Sequence, residues 1–160
     1  MAIDPLSFRQ ALGQFASGVT VVTTRIPGGP PAGLTVSAFC SVSLSPPLVL
    51  VSVDARSETH AGFRAGTFSV SILAEGQEDV SRRFAQPGPG KFLGLEVEVG
   101  QNGLPLVAGA LAHVECAVHA SHEEGDHVIY LGEVQRVSVR PGRPLLYHRG
   151  AYRRLGDDEK

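Results

Sequence analysis

Four stretches of the chain carry side chains able to do chemistry. In GDHVIYLGEV, Gly125 and Asp126 can turn the chain and His127 opens an alternating run. His127, Ile129 and Leu131 share one face of that run, and Val128, Tyr130, Gly132 and Val134 share the other. A histidine so placed is either an imidazole satisfied at the rim of a sheet or a group facing a ligand, and the pattern alone favours the rim. In LTVSAFCSVSLSPPLVLVSVD, Thr35, Ser37, Ser41 and Ser43 have one parity, and Val36, Ala38, Cys40 and Val42 have the other. If the second parity faces a core, the hydroxyls form either a solvated face or a row of short donors and acceptors for the edge of a polar planar ligand.

The third stretch is DARSETHAGFRAG, where Ser57 suits the N-cap of a helix beginning near Glu58, with Thr59 and His60 in its first turn. Such an end serves as a plain cap or as an anion site, and on its own the cap is the simpler reading. The fourth is RRFAQPGPGKF, a helix running into a Pro-Gly loop that delivers Lys91 and Phe92. A cation and an aromatic on a loop can close over a phosphorylated planar ligand, or can simply be surface. His119, His122 and His127 with Glu123 and Glu124 match no standard metal-ligand spacing, and GxSxG, P-loop and GxGxxG patterns are missing.

The elements that must position these groups read mostly as strands. Asp4-Pro5 marks a helix start, and Phe8, Ala11, Leu12, Phe15 and Ala16 recur on one face, giving an amphipathic helix that ends near Gly18. β-Branched runs follow at GVTVVTTR, LTVSAFCSVSL, LVLVSVD, TFSVSIL, LEVEV, LAHVECAVH, HVIYLGEVQRVSV and PLLYH, parted by Gly and Pro. Short helices are expected over 58–65 and 77–85, with Val80 and Phe84 spaced i, i+4. Residues 1–155 read as a single domain and 156–160 as a disordered tail.

Net charge of −2 and scattered Lys and Arg leave no basic stripe for nucleic acid. No segment reaches the roughly 20 apolar residues that span a bilayer, and no signal peptide is visible, so a soluble cytoplasmic protein is expected. Cys40 and Cys116, in apolar runs, read as buried reduced thiols.

Taken in order, FASGVTVVTT, PAGLTVSAFCSVSLSPPLVLVSVD, SETHAGFRAGTFSVSIL, LVAGALAHVECAV, GDHVIYLGEV and PLLYHRGAY resemble the flavin reductase-like family, from about Phe8 to Tyr152. Its members are short-chain reductases that supply reduced flavin to two-component monooxygenases. The resemblance implies a mainly β fold, a Greek-key split barrel with a few short peripheral helices, that binds FMN or FAD without a dinucleotide fold, as a homodimer. It implies an NAD(P)H:flavin oxidoreductase using NADH or NADPH, with a flavin storage or electron-transfer protein as the alternative. By the same resemblance Thr35, Val36, Ser37 and Ala38 line the flavin, Ser52, Val53 and Asp54 approach its ring edge, and Ser57 and Thr59 hold its phosphate. Phe84, Lys91 and Phe92 match the closing loop. His127 faces the nicotinamide as an orienting group, with Tyr152 near the same pocket.

Overall fold

The computed structural model describes residues 2–156, so the expected tail at 156–160 lies, but for Gly156, outside the described residues. In chain order the elements are α1 (Pro5–Leu12), β1 (Ser17–Gly18), β2 (Thr20–Arg25), β3 (Pro31–Val36), β4 (Phe39–Leu44), β5 (Pro47–Asp54), α2 (His60–Arg64), β6 (Thr67–Ile72) and α3 (Glu78–Ala85). There follow β7 (Val97–Val99), β8 (Pro105–Val107), β9 (Ala112–Glu124), β10 (His127–Val139), β11 (Leu146–His148) and β12 (Ala151–Arg153).

Seven strands form one sheet in the order β3-β2-β6-β9-β10-β5-β4, while β1-β11-β12 and β7-β8 form two small sheets. The edge strands of the large sheet, β3 and β4, are consecutive in the chain and joined by only Ser37 and Ala38. Two residues cannot span a flat seven-stranded sheet, whose strands lie roughly 4.8 Å apart, so the sheet curls until its edges meet. The corner is pinned to β5 by Ser52 N–H donating to Ala38 O at 3.1 Å. This is the split barrel expected from the sequence.

Alternation in β2 builds the two cores. Val22 enters a cluster with Val36, Val51, Val53, Phe63, Phe68, Val70 and Tyr130 inside the curl. Val21 points the other way, with Val19, Leu73, Val80, Phe84, Val107 and Leu145 under α3. With both faces covered, the strand's threonines must find partners indoors. Thr20, Thr23 and Thr24 donate to the carbonyls of Val36, Pro105 and Thr67 at 2.6, 2.7 and 2.9 Å. Gly132 is fixed by packing, because a Cβ there would lie 2.3 Å from Phe68 Cζ.

Four local expectations are corrected. The run LTVSAFCSVSL is two strands at opposite edges of the sheet, so the hydroxyls of Thr35 and Ser37 do not continue one row into Ser41 and Ser43. α1 stops at Leu12 with Gly13 as C-cap, well before Gly18, and buries none of its residues within the chain. The second helix begins at His60, with Thr59 and not Ser57 at its N-cap. Cys40 is exposed because β4 is an edge strand with little over it, whereas Cys116 is buried as expected. Among the described residues no helix is long and apolar enough to cross a membrane.

Candidate active site

The residues singled out from the sequence fall into two groups, one at the β3–β4 corner and the end of β5 and one on the α3 side of β3. Antiparallel pairing of β10 with β5 sets His127 opposite Asp54, Val128 opposite Val53 and Ile129 opposite Ser52. His127, half-exposed, has Nδ1 2.7 Å from Asp126 Oδ1. A carboxylate only accepts, so Nδ1 carries the proton, and Nε2 has no hydrogen-bond partner among the described residues. That hydrogen bond is the main cause holding the Asp126 carboxyl below its ordinary range. Asp54 is bound to its own turn: Oδ1 accepts from Arg56 N–H and Nε at 2.9 and 3.0 Å, and Oδ2 from Nη2 at 2.7 Å. Those side-chain and backbone bonds from Arg56 are the main cause of its strongly lowered pKa, with His127 adding a smaller contribution.

The Ser57–Thr59 turn follows directly. Ser57 Oγ lies 2.8 Å from Thr59 Oγ1 and accepts from Thr59 N–H at 3.3 Å, so the two hydroxyls form a pair. α2 is only five residues long and has no side-chain cap, so an anion here relies on hydroxyls and a nearby cation, not on a helix dipole. The cation whose charge interacts with this turn, through Glu58, is Lys91. Its Nζ donates to Gly33 O at 3.1 Å and Phe84 O at 3.4 Å. Burial lowers its pKa, and the charge of Glu58 in the Ser57–Thr59 turn opposes that lowering. An ammonium has three donors, and two are spent on carbonyls.

α3 closes this side. Thr35 Oγ1 donates to Ser81 O at 2.6 Å, and Ser81 Oγ lies 2.7 Å from Tyr152 Oη, which ties β3 to β12. The Arg82 guanidinium sits 4.8 Å over the Tyr152 ring, a cation–π contact. Phe84 is buried, meets Phe92 edge-on at 5.0 Å, and lies against Gly33, where a Cβ would come within 2.7 Å of its ring.

Ser37 and Ala38 are thus the exposed part of the corner, next to Ser52, and Lys91 joins β3 to the loop. Val36 and Val53 are buried in the core, and Thr35 spends its hydroxyl on α3, so any ligand meets those three through their main chain. No hydrogen bond or ring contact joins Tyr152 to His127 within the described residues. Tyr152 belongs to the α3 side and His127 to the β5 end.

Two supporting residues escaped the sequence reading. His60 Nε2 lies 2.9 Å from Asp54 O, which can only accept, so Nε2 carries the proton and Nδ1 accepts from Tyr130 Oη at 2.6 Å. Both are buried, and Tyr130 stacks on Phe63 at 4.2 Å. The clue was a hydroxyl at Tyr130 within the inward parity of β10, which demands a buried partner.

Known proteins share this framework. The chain is 46% identical over 150 residues to an FMN reductase (NADH) from Agrobacterium fabrum, covering 93% of this chain and 85% of that one. It is 41% identical over 160 residues to the reductase subunit of a flavin-dependent monooxygenase from Rhodococcus jostii, covering 99% and 82%. The solved NADH:FAD oxidoreductase of Streptomyces globisporus, in complex with NAD and FAD fragments, superposes with a TM-score of 0.92 at 42% identity, covering 100% of this chain and 99% of that one. Residues 12–156 match the model of the flavin reductase like domain. With the corner, the paired hydroxyls and the lysine all inside that span, the chain belongs to the flavin reductase like family.

Proposed function

We propose that the protein is an NADH:flavin oxidoreductase that passes reduced FMN or FAD to a partner monooxygenase. The observation that carries this is the likeness, over the full chain, to an NADH:FAD oxidoreductase solved with NAD and FAD fragments. The donor set around the corner fits a flavin mononucleotide moiety. A hydroxyl pair and a partly desolvated ammonium with a spare donor suit a phosphate, and the exposed Ser37–Ala38 segment beside Ser52 suits a flat polar ring edge.

When bound, the flavin supplies the ring that accepts hydride from reduced nicotinamide. The chain's part is binding and orientation. Ser57, Thr59 and Lys91 hold the phosphate, while the main chain from Thr35 to Ala38 and from Ser52 to Asp54 lines the ring. Phe84 and Phe92 brace the loop that carries Lys91. His127, its Nδ1–H committed to Asp126, offers Nε2 as an acceptor for the carboxamide N–H of the nicotinamide and acts as an orienting group. Alignment of two bound reactants can lower a barrier by roughly 7–11 kcal/mol, so no acid–base residue is required. Tyr152 borders the same reaction space from the α3 side.

We assign the whole of residues 1–155 to this one domain, the working form to a homodimer, and the location to the cytoplasm, where reduced nicotinamide is made. The test is steady-state oxidation of NADH and NADPH with FMN and FAD, followed at the reduced-nicotinamide band. Flavin-dependent consumption of NADH is expected. Protein that binds flavin and is inert to both nicotinamides would instead be a storage or electron-transfer protein.

A further inference from the structure

The hairpin β11–β12 turns on Arg149 and Gly150, with φ of 51° and 74°. Positive φ at both positions is the primed two-residue turn, which favours Asn-Gly, so an arginine in the first position is an unusual choice. Its side chain is held in place: Nε donates to Gln14 Oε1 at 2.9 Å, Nη2 reaches the same oxygen, and the backbone N–H donates to Gly13 O at 3.1 Å. Gln14 is neutral, so this orients the guanidinium without cancelling its charge.

Three other arginines near this end of the chain are paired with acids. Arg140 binds Glu98, and Arg143 and Arg154 flank Glu75. Arg149 and Arg9 have no carboxylate within ion-pair distance among the described residues, and together they line a cleft of about 320 Å³. Gln10, Gly13, Gln14 and Gly150 complete it, giving two cations, two amides, two glycines and no acid. The carbonyls at this end of α1 are partly quenched: Arg9 O and Gly13 O accept from Gly13 and Arg149 N–H, and Gln10 O from Gln14 Nε2.

Forked guanidiniums recognise phosphate oxygens bidentately, and the Gln10 amide beside the side-chain-free backbone at Gly150 suits a ribose or a purine edge, the Gln14 amide being spent on Arg149 and the Gln10 carbonyl. The cleft sits at the tip of the hairpin whose shaft carries Tyr152, two residues and about 7 Å beyond Gly150 at 3.3 Å per residue. We propose that this cleft binds the adenosine diphosphate half of a dinucleotide whose reactive ring lies in the candidate active site. The identity of that ring rests on the flavin reductase reading above. The anionic adenylate could come from FAD or from NADH, and the test separates the two.

Calorimetric titration of the full-length protein with ADP is expected to show binding, with adenosine binding far more weakly. Arg9→Gln and Arg149→Gln should each weaken ADP roughly tenfold, the usual worth of one charged hydrogen bond. In turnover, a rise in the KM of FAD but not of FMN assigns the cleft to FAD. A rise in the KM of NADH with either flavin assigns it to the nicotinamide dinucleotide. No ADP binding, equal binding of adenosine, or ADP binding unmoved by both substitutions overturns the site. Weakened ADP binding with neither KM moved overturns the dinucleotide assignment. Titration needs no turnover, so ADP binding to a protein without reductase activity marks failure of the enzymatic reading alone.

Discussion

At the scale of residues, the informative groups are those whose hydrogen bonds fix a single role. His127 has Nδ1 tied to Asp126 and no hydrogen bond at Nε2 among the described residues, the arrangement that the proposed orienting role requires. For His127→Ala we expect the KM of NADH to rise about 3- to 10-fold, the worth of one hydrogen bond, with flavin affinity little changed. Equal loss of flavin affinity, read by fluorescence titration, would make the residue structural. The two cysteines give a second contrast. Burial is the first cause pushing the Cys116 thiol up to about 12 from an ordinary 9.0, and the Glu115 charge adds to it, while Cys40 is exposed. An aromatic disulfide reagent at about pH 8 should therefore titrate one thiol in the native chain and two after unfolding. The sign for stability follows from the raised folded value. Below about 9 both states hold the proton, and between about 9 and 12 only the unfolded state loses it, so stability falls through that window. Cys116→Ala should flatten this alkaline limb in urea melts at graded pH, whatever the cavity costs at neutral pH.

At the scale of elements, β10 is held by what it meets on each side. Gly132 leaves room for the Phe68 ring and for Cys116, whose Cβ would be 2.9 Å from an added Cβ, so nothing soft can yield. Gly132→Ala should cost about 1–3 kcal/mol or more in chemical denaturation, the range for overpacking a core. Tyr130→Phe removes the donor to His60 Nδ1 and leaves a buried acceptor unpaired, at a cost of about 1–3 kcal/mol. Because His60 also holds Asp54 O, the loss should extend to the β5 end, seen as faster amide exchange at Ala55 and Ser57. The long strands were legible because β-branched runs specify them. The break at Ser37–Ala38 was not, since neither residue is Gly or Pro and only closure of the sheet demands a corner there. β1, only two residues long, exists through a partner distant in sequence, Ser17 pairing with Tyr147, while β8 and β12, three residues each, are the second arms of hairpins with β7 and β11 and are too short to show a strand pattern. Of the site, the Ser57–Thr59 turn and Lys91 could be read locally. The pairing of Asp54 with His127 depends on a register between strands far apart in the chain.

At the scale of the whole molecule, the unresolved tension is α1. Its start was legible in Asp4, whose carboxylate accepts from Ser7 N–H at 2.9 Å, and so was its apolar face. That face covers nothing in its own chain: Phe8, Leu12 and Phe15 are 55, 57 and 81% exposed. Monomeric proteins rarely leave such a contiguous patch to water. A homodimer that covers it would reconcile the amphipathic sequence with the empty face, and would leave Arg9, Gly13 and Gln14 on the neighbouring stripe of the helix, beside Arg149. Sedimentation velocity at micromolar concentration should give twice the chain mass of 16.9 kDa. Leu12→Glu together with Phe15→Glu should shift it to the single-chain mass with the far-ultraviolet spectrum retained, because neither side chain contributes to either core. A parent protein sedimenting as a monomer would leave α1 without a partner copy. A double variant that stays dimeric would move the interface to another surface.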